Sequence, residues 1–317
     1  MDSIIIANQI LILGILVCIG VFATKTGIIN ENLKEGISGL VFKITLPLMI
    51  FTNFVALDIT PELLKNGAMV LIFAYISMFL LMLAGRLSSG ILSLNRRKST
   101  IHVLHTMFGN HVFLGFPLIN ALFPGGEGLF YATLFFIVSS SLMWTLGIYM
   151  LNRENNANVI DNLRHLLNPN TIAFFFGFLF MIFDINLPYL LDSPLSGLGD
   201  TTNYLSMLYI GAMLAQINIR GVLTRGSVFL LSFNKLLLVP FIMIIAINLA
   251  ISIFSLEISH IARSVIVLQS GMPCMAIIVV LARKFKADDE LATVNLFIST
   301  ILSVITLPFL YYLVGFF

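Results

Sequence analysis

Asn110 and Gln269 are neutral amides that stand just ahead of prolines inside apolar segments. Asn110 precedes Pro117 by seven residues and Gln269 precedes Pro273 by four. The prolines close the triplets Gly115-Phe116-Pro117 and Gly271-Met272-Pro273, 156 residues apart in a chain of 317. A proline within a helix removes a hydrogen bond and clashes with the preceding turn, so each segment is expected to break there. In hydrocarbon, the freed backbone groups are tolerated only where they line a cavity or are buried in protein. At such a break one half-helix ends in free carbonyls, and the next begins with free amides worth roughly half a positive charge. Two amide ends crossing at mid-membrane would hold a carboxylate without a buried lysine. Asn110 and Gln269 then orient the anion, or else they satisfy the backbone that the prolines free. Gly115, Pro117, Gly271 and Pro273 complete this candidate substrate-binding set.

Neither segment contains an aspartate or glutamate. That argues against a cation exchanger and against sodium coupling, because proton-coupled carriers place an ionisable group at the crossing and sodium needs several oxygen ligands. His105 and His111, beside Asn110, titrate near neutral pH and are candidates for coupling or gating. His102 and His105 have the i,i+3 spacing of a metal pair, with packed histidines as the alternative; no metal is assigned. Lys235 lies about ten residues into an apolar run, a functional candidate by its depth. Lys43 and Arg86 fall near the ends of such runs, where the stems snorkel to the interface. Asp58, at the end of the second run, is a gate or simply faces water.

Other chemistry is thinly represented. Gly197-Leu198-Gly199-Asp200 spells the GxGD of intramembrane aspartyl proteases, with Asp184 upstream. Such a pair must meet inside the membrane with one carboxyl protonated, whereas both aspartates here flank a short loop containing Pro188 and Pro194. An anion channel is the other rival. No P-loop, HExxH or serine–histidine constellation occurs, and no cofactor or enzymatic activity is expected.

The elements that must position these residues are membrane spans. The chain is 59% hydrophobic and 10% charged, with a mean hydropathy of +1.02, against roughly 25% charged residues in soluble domains. A span needs about 20 apolar residues, and ten runs qualify: 4–24, 35–57, 67–93, 100–123, 127–151, 169–187, 195–218, 226–254, 260–282 and 290–316. Pro47 should kink the second. Counting loops alternately, one side receives twelve basic residues and the other only Lys65 and Arg263. By the positive-inside rule both termini lie outside the cytoplasm. The net charge of +2 implies no nucleic-acid partner. The first run follows no basic segment and is read as a retained span. Cys18 and Cys274 lack metal-ligand spacing. Matching features recur near a 159-residue offset, including Gly67 with Gly226 and Glu127 with Asp289. This gives five spans plus five, the second set inverted: residues 1–152 form one repeat, 153–168 a short cytoplasmic linker, and 169–317 the other.

The segment GIINENLKEGISGLVFKITLPLMIF (27–51), the stretch NHVFLGFP (110–117), and the end from Val267 to Tyr312 resemble the auxin efflux carrier family. That family includes plant PIN-type carriers and bacterial malate-permease-like proteins. The resemblance implies an all-α, ten-helix inverted-repeat fold with crossover helices 4 and 9. Helices 1, 2, 6 and 7 would form a scaffold that dimerises through helices 2 and 7, and helices 3–5 and 8–10 an elevator-type transport domain. Asn110 takes the place of the family's anion-binding asparagine, and Pro117 and Pro273 those of its crossover prolines. Plant members carry a long cytosolic loop where this chain has a short linker. That difference points to a prokaryotic inner-membrane carrier of small mono- or dicarboxylates.

Overall fold

The computed structural model describes residues 2–152, 167–215 and 226–316, with side chains from residue 11 onward. Most of the expected linker, together with Arg153, Arg164, Arg220 and Arg225, lies outside the described residues. In chain order the helices are α1 (Asp2–Lys25), α2 (Glu31–Val55), α3 (Pro61–Ile91), α4 (Arg96–Met107), α5 (His111–Leu122) and α6 (Glu127–Leu151). They continue with α7 (Pro169–Ile182), α8 (Tyr189–Ala215), α9 (Gly226–Phe254), α10 (His260–Ser270), α11 (Ile277–Lys284) and α12 (Asp289–Val314). Five of these, α2, α3, α6, α9 and α12, are long and apolar enough to cross a membrane. Among the described residues the backbone makes no strand, and a single antiparallel bridge joins Gly109 to Cys274. Helices suit an apolar chain because they satisfy their own backbone where no water can.

Polar residues set several helix starts. Asn30, Asn95, Asn168, Ser259 and Asp288 each accept a hydrogen bond from a backbone N–H of the first turn, which meets part of the demand of the helix's free amides.

Three prolines inside the helices are accommodated in one way. Pro47, Pro117 and Pro240 each follow a single π turn, at Val41–Thr45, His111–Gly115 and Asn234–Leu238. The carbonyl each proline cannot engage, four residues back, belongs to Lys43, Phe113 or Leu236, the middle residue of that turn. The wider i→i+5 turn takes up the missing donor without ending the helix. Pro117 therefore does not break its segment. The helix is interrupted earlier, at Phe108–Asn110, whereas the second interruption, Gly271–Ala276, does surround its proline.

The chain divides into two compact units. One comprises residues 1–67, 112–134 and 167–218. In it α1 packs on α8, and α2 packs on α7 and α8. A Cβ on Gly20 would fall 2.5 Å from the Leu208 carbonyl oxygen, and one on Gly211 would overlap that of Val17. Glycine here lets two backbones touch. Gly199 lies against the backbone of Met49 in the same manner. Phe54 packs against Phe130 and Phe174, and the buried Thr202 hydroxyl donates to Thr45 Oγ1 at 2.9 Å.

The other unit comprises residues 68–111, 135–166 and 219–317. Its pillar is α12, which touches α4, α9, α10 and α11. Gly85 admits the backbone of Val103 to α3, and Gly147 admits the Phe108 ring to α6. The candidate site is built inside this unit.

Candidate substrate-binding site

The two unwound segments cross as a short antiparallel pair. Asn110 N–H donates to the Pro273 carbonyl at 2.7 Å, and Met275 N–H donates to the Phe108 carbonyl at 3.1 Å. Pro273 loses nothing by lacking an N–H, because the pairing uses its carbonyl. Gly109 is required at the crossing point, since a Cβ there would sit 2.9 Å from Met272 Cβ and 3.1 Å from the His111 ring. Cys274 N–H turns the other way, to Ser299 Oγ of α12 at 3.0 Å. Each interrupted helix thus supplies the hydrogen bonds that the other lacks.

The carbonyl end of α4 is closed by three donors. Phe108 N–H reaches Leu104 O at 2.8 Å, Cys274 Sγ reaches His105 O at 3.5 Å, and Lys235 Nζ reaches Thr106 O at 3.0 Å. At the end of α10, Gly271 N–H bonds the carbonyls of Val267 and Leu268, and Ser270 Oγ also bonds Val267 O.

His111 and Gln269, 158 residues apart in sequence, share a buried hydrogen bond of 2.7 Å between Nδ1 and Oε1. With the amide oxygen accepting, Nδ1 carries the proton and Nε2 is left with a lone pair. The far ends of the pair, His111 Nε2 and Gln269 Nε2, are buried without a hydrogen-bond partner among the described residues. Both amide atoms of Asn295 on α12 are in the same condition. A buried polar atom left unmade costs about 1–3 kcal/mol, so these groups favour a polar ligand. Asn110 is 3% exposed and His111 2%. Together these residues offer amide N–H donors, which suit a carboxylate, and one imidazole lone pair, which suits a hydrogen-bond donor of the ligand.

The structure therefore brings Asn110, His111, Gln269, Gly271 and Pro273 together within one unit. Gly115 and Pro117 are buried in α5, in the other unit. His105 is buried in the last turn of α4, and His102 is bonded to Ser88 Oγ at 2.7 Å. Asp58 is exposed in the loop after α2, and Lys43 and Arg86 are exposed on their helices. Lys235 is only 1% exposed. Asp184 and Asp200 are both exposed, unlike a protease dyad, and the glycine before Asp200 serves helix packing. Asn295 and Ser299 escaped sequence reasoning, although polar side chains in an apolar run are a usable signal.

Comparison with known proteins settles the affiliation. A family model described as membrane transport protein matches residues 5–311. The chain belongs to this family. The membrane transport protein family is the auxin efflux carrier family that NHVFLGFP resembles. One relative is an uncharacterized transporter of Methanocaldococcus jannaschii, 24% identical over 302 residues, covering 95% of this chain and 96% of the relative. Another, from Methanothermobacter thermautotrophicus, also an uncharacterized transporter, is 26% identical over 311 residues, covering 93% of each. The crossing segments thus lie in a membrane transport protein.

Proposed function

We propose that this protein is a secondary carrier for a small organic anion, a mono- or dicarboxylate, held at the crossing of the two interrupted helices. The observation that carries this reading is the His111–Gln269 pair, which leaves the Gln269 amide N–H donors buried without a partner where two unwound segments meet. Asn110 and Gln269 supply neutral donors, and the amide end of α11 opens directly after the crossing segment. Neutral donors and a helix N-terminus suit an anion better than a metal cation.

Ten helical passes, with α4–α5 and α10–α11 each counted as one interrupted pass, form two inverted repeats. The unit containing α1, α2, α7 and α8 is the scaffold, and the unit containing α4 and α9–α12 carries the substrate as an elevator. The division into compact units supports that assignment, with helical segments grouped much as a scaffold and a mover would require. The protein works as a homodimer through α2 and α8, in a prokaryotic inner membrane, with both termini on the non-cytoplasmic side. Transport needs no sodium. The membrane potential suffices for export, because moving one negative charge outward is worth about 2.3 kcal/mol per 100 mV.

Charge movement in proteoliposomes on a solid-supported membrane tests the reading, with malate, malonate, oxalate, lactate and indole-3-acetate as substrates. A saturable, sodium-independent response to at least one acid is expected, and it should be lost in Asn110→Ala. Silence in folded protein, with no uptake of labelled acid either, would refute the carboxylate assignment. Counterflow of labelled acid separates a carrier from a channel.

A further inference from the structure

We infer that Lys235 is the built-in counter-charge of the bound carboxylate, a tethered cation that replaces a free coupling cation and selects singly charged acids. This inference rests on the carboxylate reading above. Lys235 is among the largest fully buried side chains in the protein. It sits in the π turn Asn234–Leu238, and its Nζ donates to Thr106 O at 3.0 Å. That carbonyl lies in the last turn of α4, two residues ahead of the crossing segment. The described residues provide one acceptor for its three N–H donors.

The charges around Lys235 do not balance. The carbonyl end of a helix carries only about half a negative charge. The two other donors closing that end, Phe108 N–H and Cys274 S–H, are neutral. No aspartate or glutamate is buried among the described residues. The carboxylates that pair with Lys34 and Arg283 belong to Glu31, which is exposed, and Asp289, which is half-buried. An ammonium in low dielectric with no compensating anion is strongly disfavoured, so a protonated Lys235 calls for a negative partner that the described residues do not supply. Lys235 and Cys274, from α9 and the second crossing segment, close neighbouring carbonyls of the same helix end, Thr106 O and His105 O. A carboxylate held by Asn110 and Gln269 would supply the missing negative charge. A single fixed cation balances one carboxylate, leaving a dianion with one charge uncompensated.

Purified full-length protein tests this directly, by thermal stabilisation with lactate, indole-3-acetate, malate, malonate and oxalate in sodium chloride and in choline chloride. The wild type should be stabilised equally in the two salts, and by monocarboxylates more than by dianions. Lys235→Arg should keep that response. Lys235→Met should elute as folded protein and bind monocarboxylates at least about tenfold more weakly, the scale of a lost close charge pair. Binding by Lys235→Met within about twofold of wild type would overturn the inference while leaving the carboxylate reading intact. Sodium-dependent binding, or a preference for dianions, would overturn it too, and both of those readouts use the wild type, so they decide the matter even if Lys235→Met does not fold. If no acid stabilises the wild type and none is transported, both readings fall together.

Discussion

His111 and Gln269 show how little polarity the core contains and how firmly it is placed. Their bond joins residues from the two interrupted passes and buries both side chains almost completely. Replacing Gln269 by leucine would remove the acceptor and leave the His111 Nδ1–H without a partner in an apolar surround. The expected loss is about 1–3 kcal/mol of stability, read as a lower melting temperature in detergent. The same variant should raise the half-saturating concentration of any transported acid. His111→Phe keeps the ring contact with Phe135, whose centroid lies 5.3 Å away, and removes the polar half of the pair. It leaves Gln269 Oε1 buried without its donor, so it should lose transport with a stability loss of the same order, about 1–3 kcal/mol. The two polar amides flanking the crossing were legible in the sequence because their neighbours are apolar. Their pairing partners were not, since a contact spanning 158 residues leaves no local trace.

Among the elements, glycines decide which helices approach to backbone contact. Gly211→Val would force α1 and α8 apart, because a side chain there overlaps the Val17 carbonyl, and about 1–3 kcal/mol should be lost. Gly197, in the same helix, has nothing within 4 Å of an added Cβ. Gly197→Ala should instead gain about 0.5–1 kcal/mol from helix propensity. Thermal unfolding of the two variants side by side checks both signs. Prolines misled the sequence reading in an instructive way. Pro273 marks an interruption, whereas Pro117, seven residues beyond Asn110, follows the π turn His111–Gly115 in a helix that continues to Leu122. A proline reports a missing donor, and chain geometry elsewhere decides whether the helix widens or stops. Pro240 follows the same rule behind Lys235, so the buried lysine sits on backbone already opened by one extra residue per turn.

For the molecule as a whole, hydropathy carried the membrane class, motifs such as NHVFLGFP carried the family, and the bias of basic residues makes the orientation a testable expectation. Five helices pass a simple length and hydropathy criterion. Among the described residues Leu11–Lys25, His111–Leu122 and Pro169–Ile182 are shorter apolar helical stretches. A reporter enzyme active only outside the cytoplasm should be active when fused after Phe317 and inactive when fused within 153–168; the opposite pattern would invert the orientation. The antiparallel crossing has a final consequence, for how the chain is made. The Asn110 N–H and the Phe108 carbonyl find their backbone partners in Pro273 and Met275. At a synthesis rate of about 5–20 residues per second, the first interrupted pass leaves the ribosome roughly ten to thirty seconds before its partner. During that interval its open amides and carbonyls cannot face lipid. The insertion machinery or water must shelter them until the second half of the protein arrives.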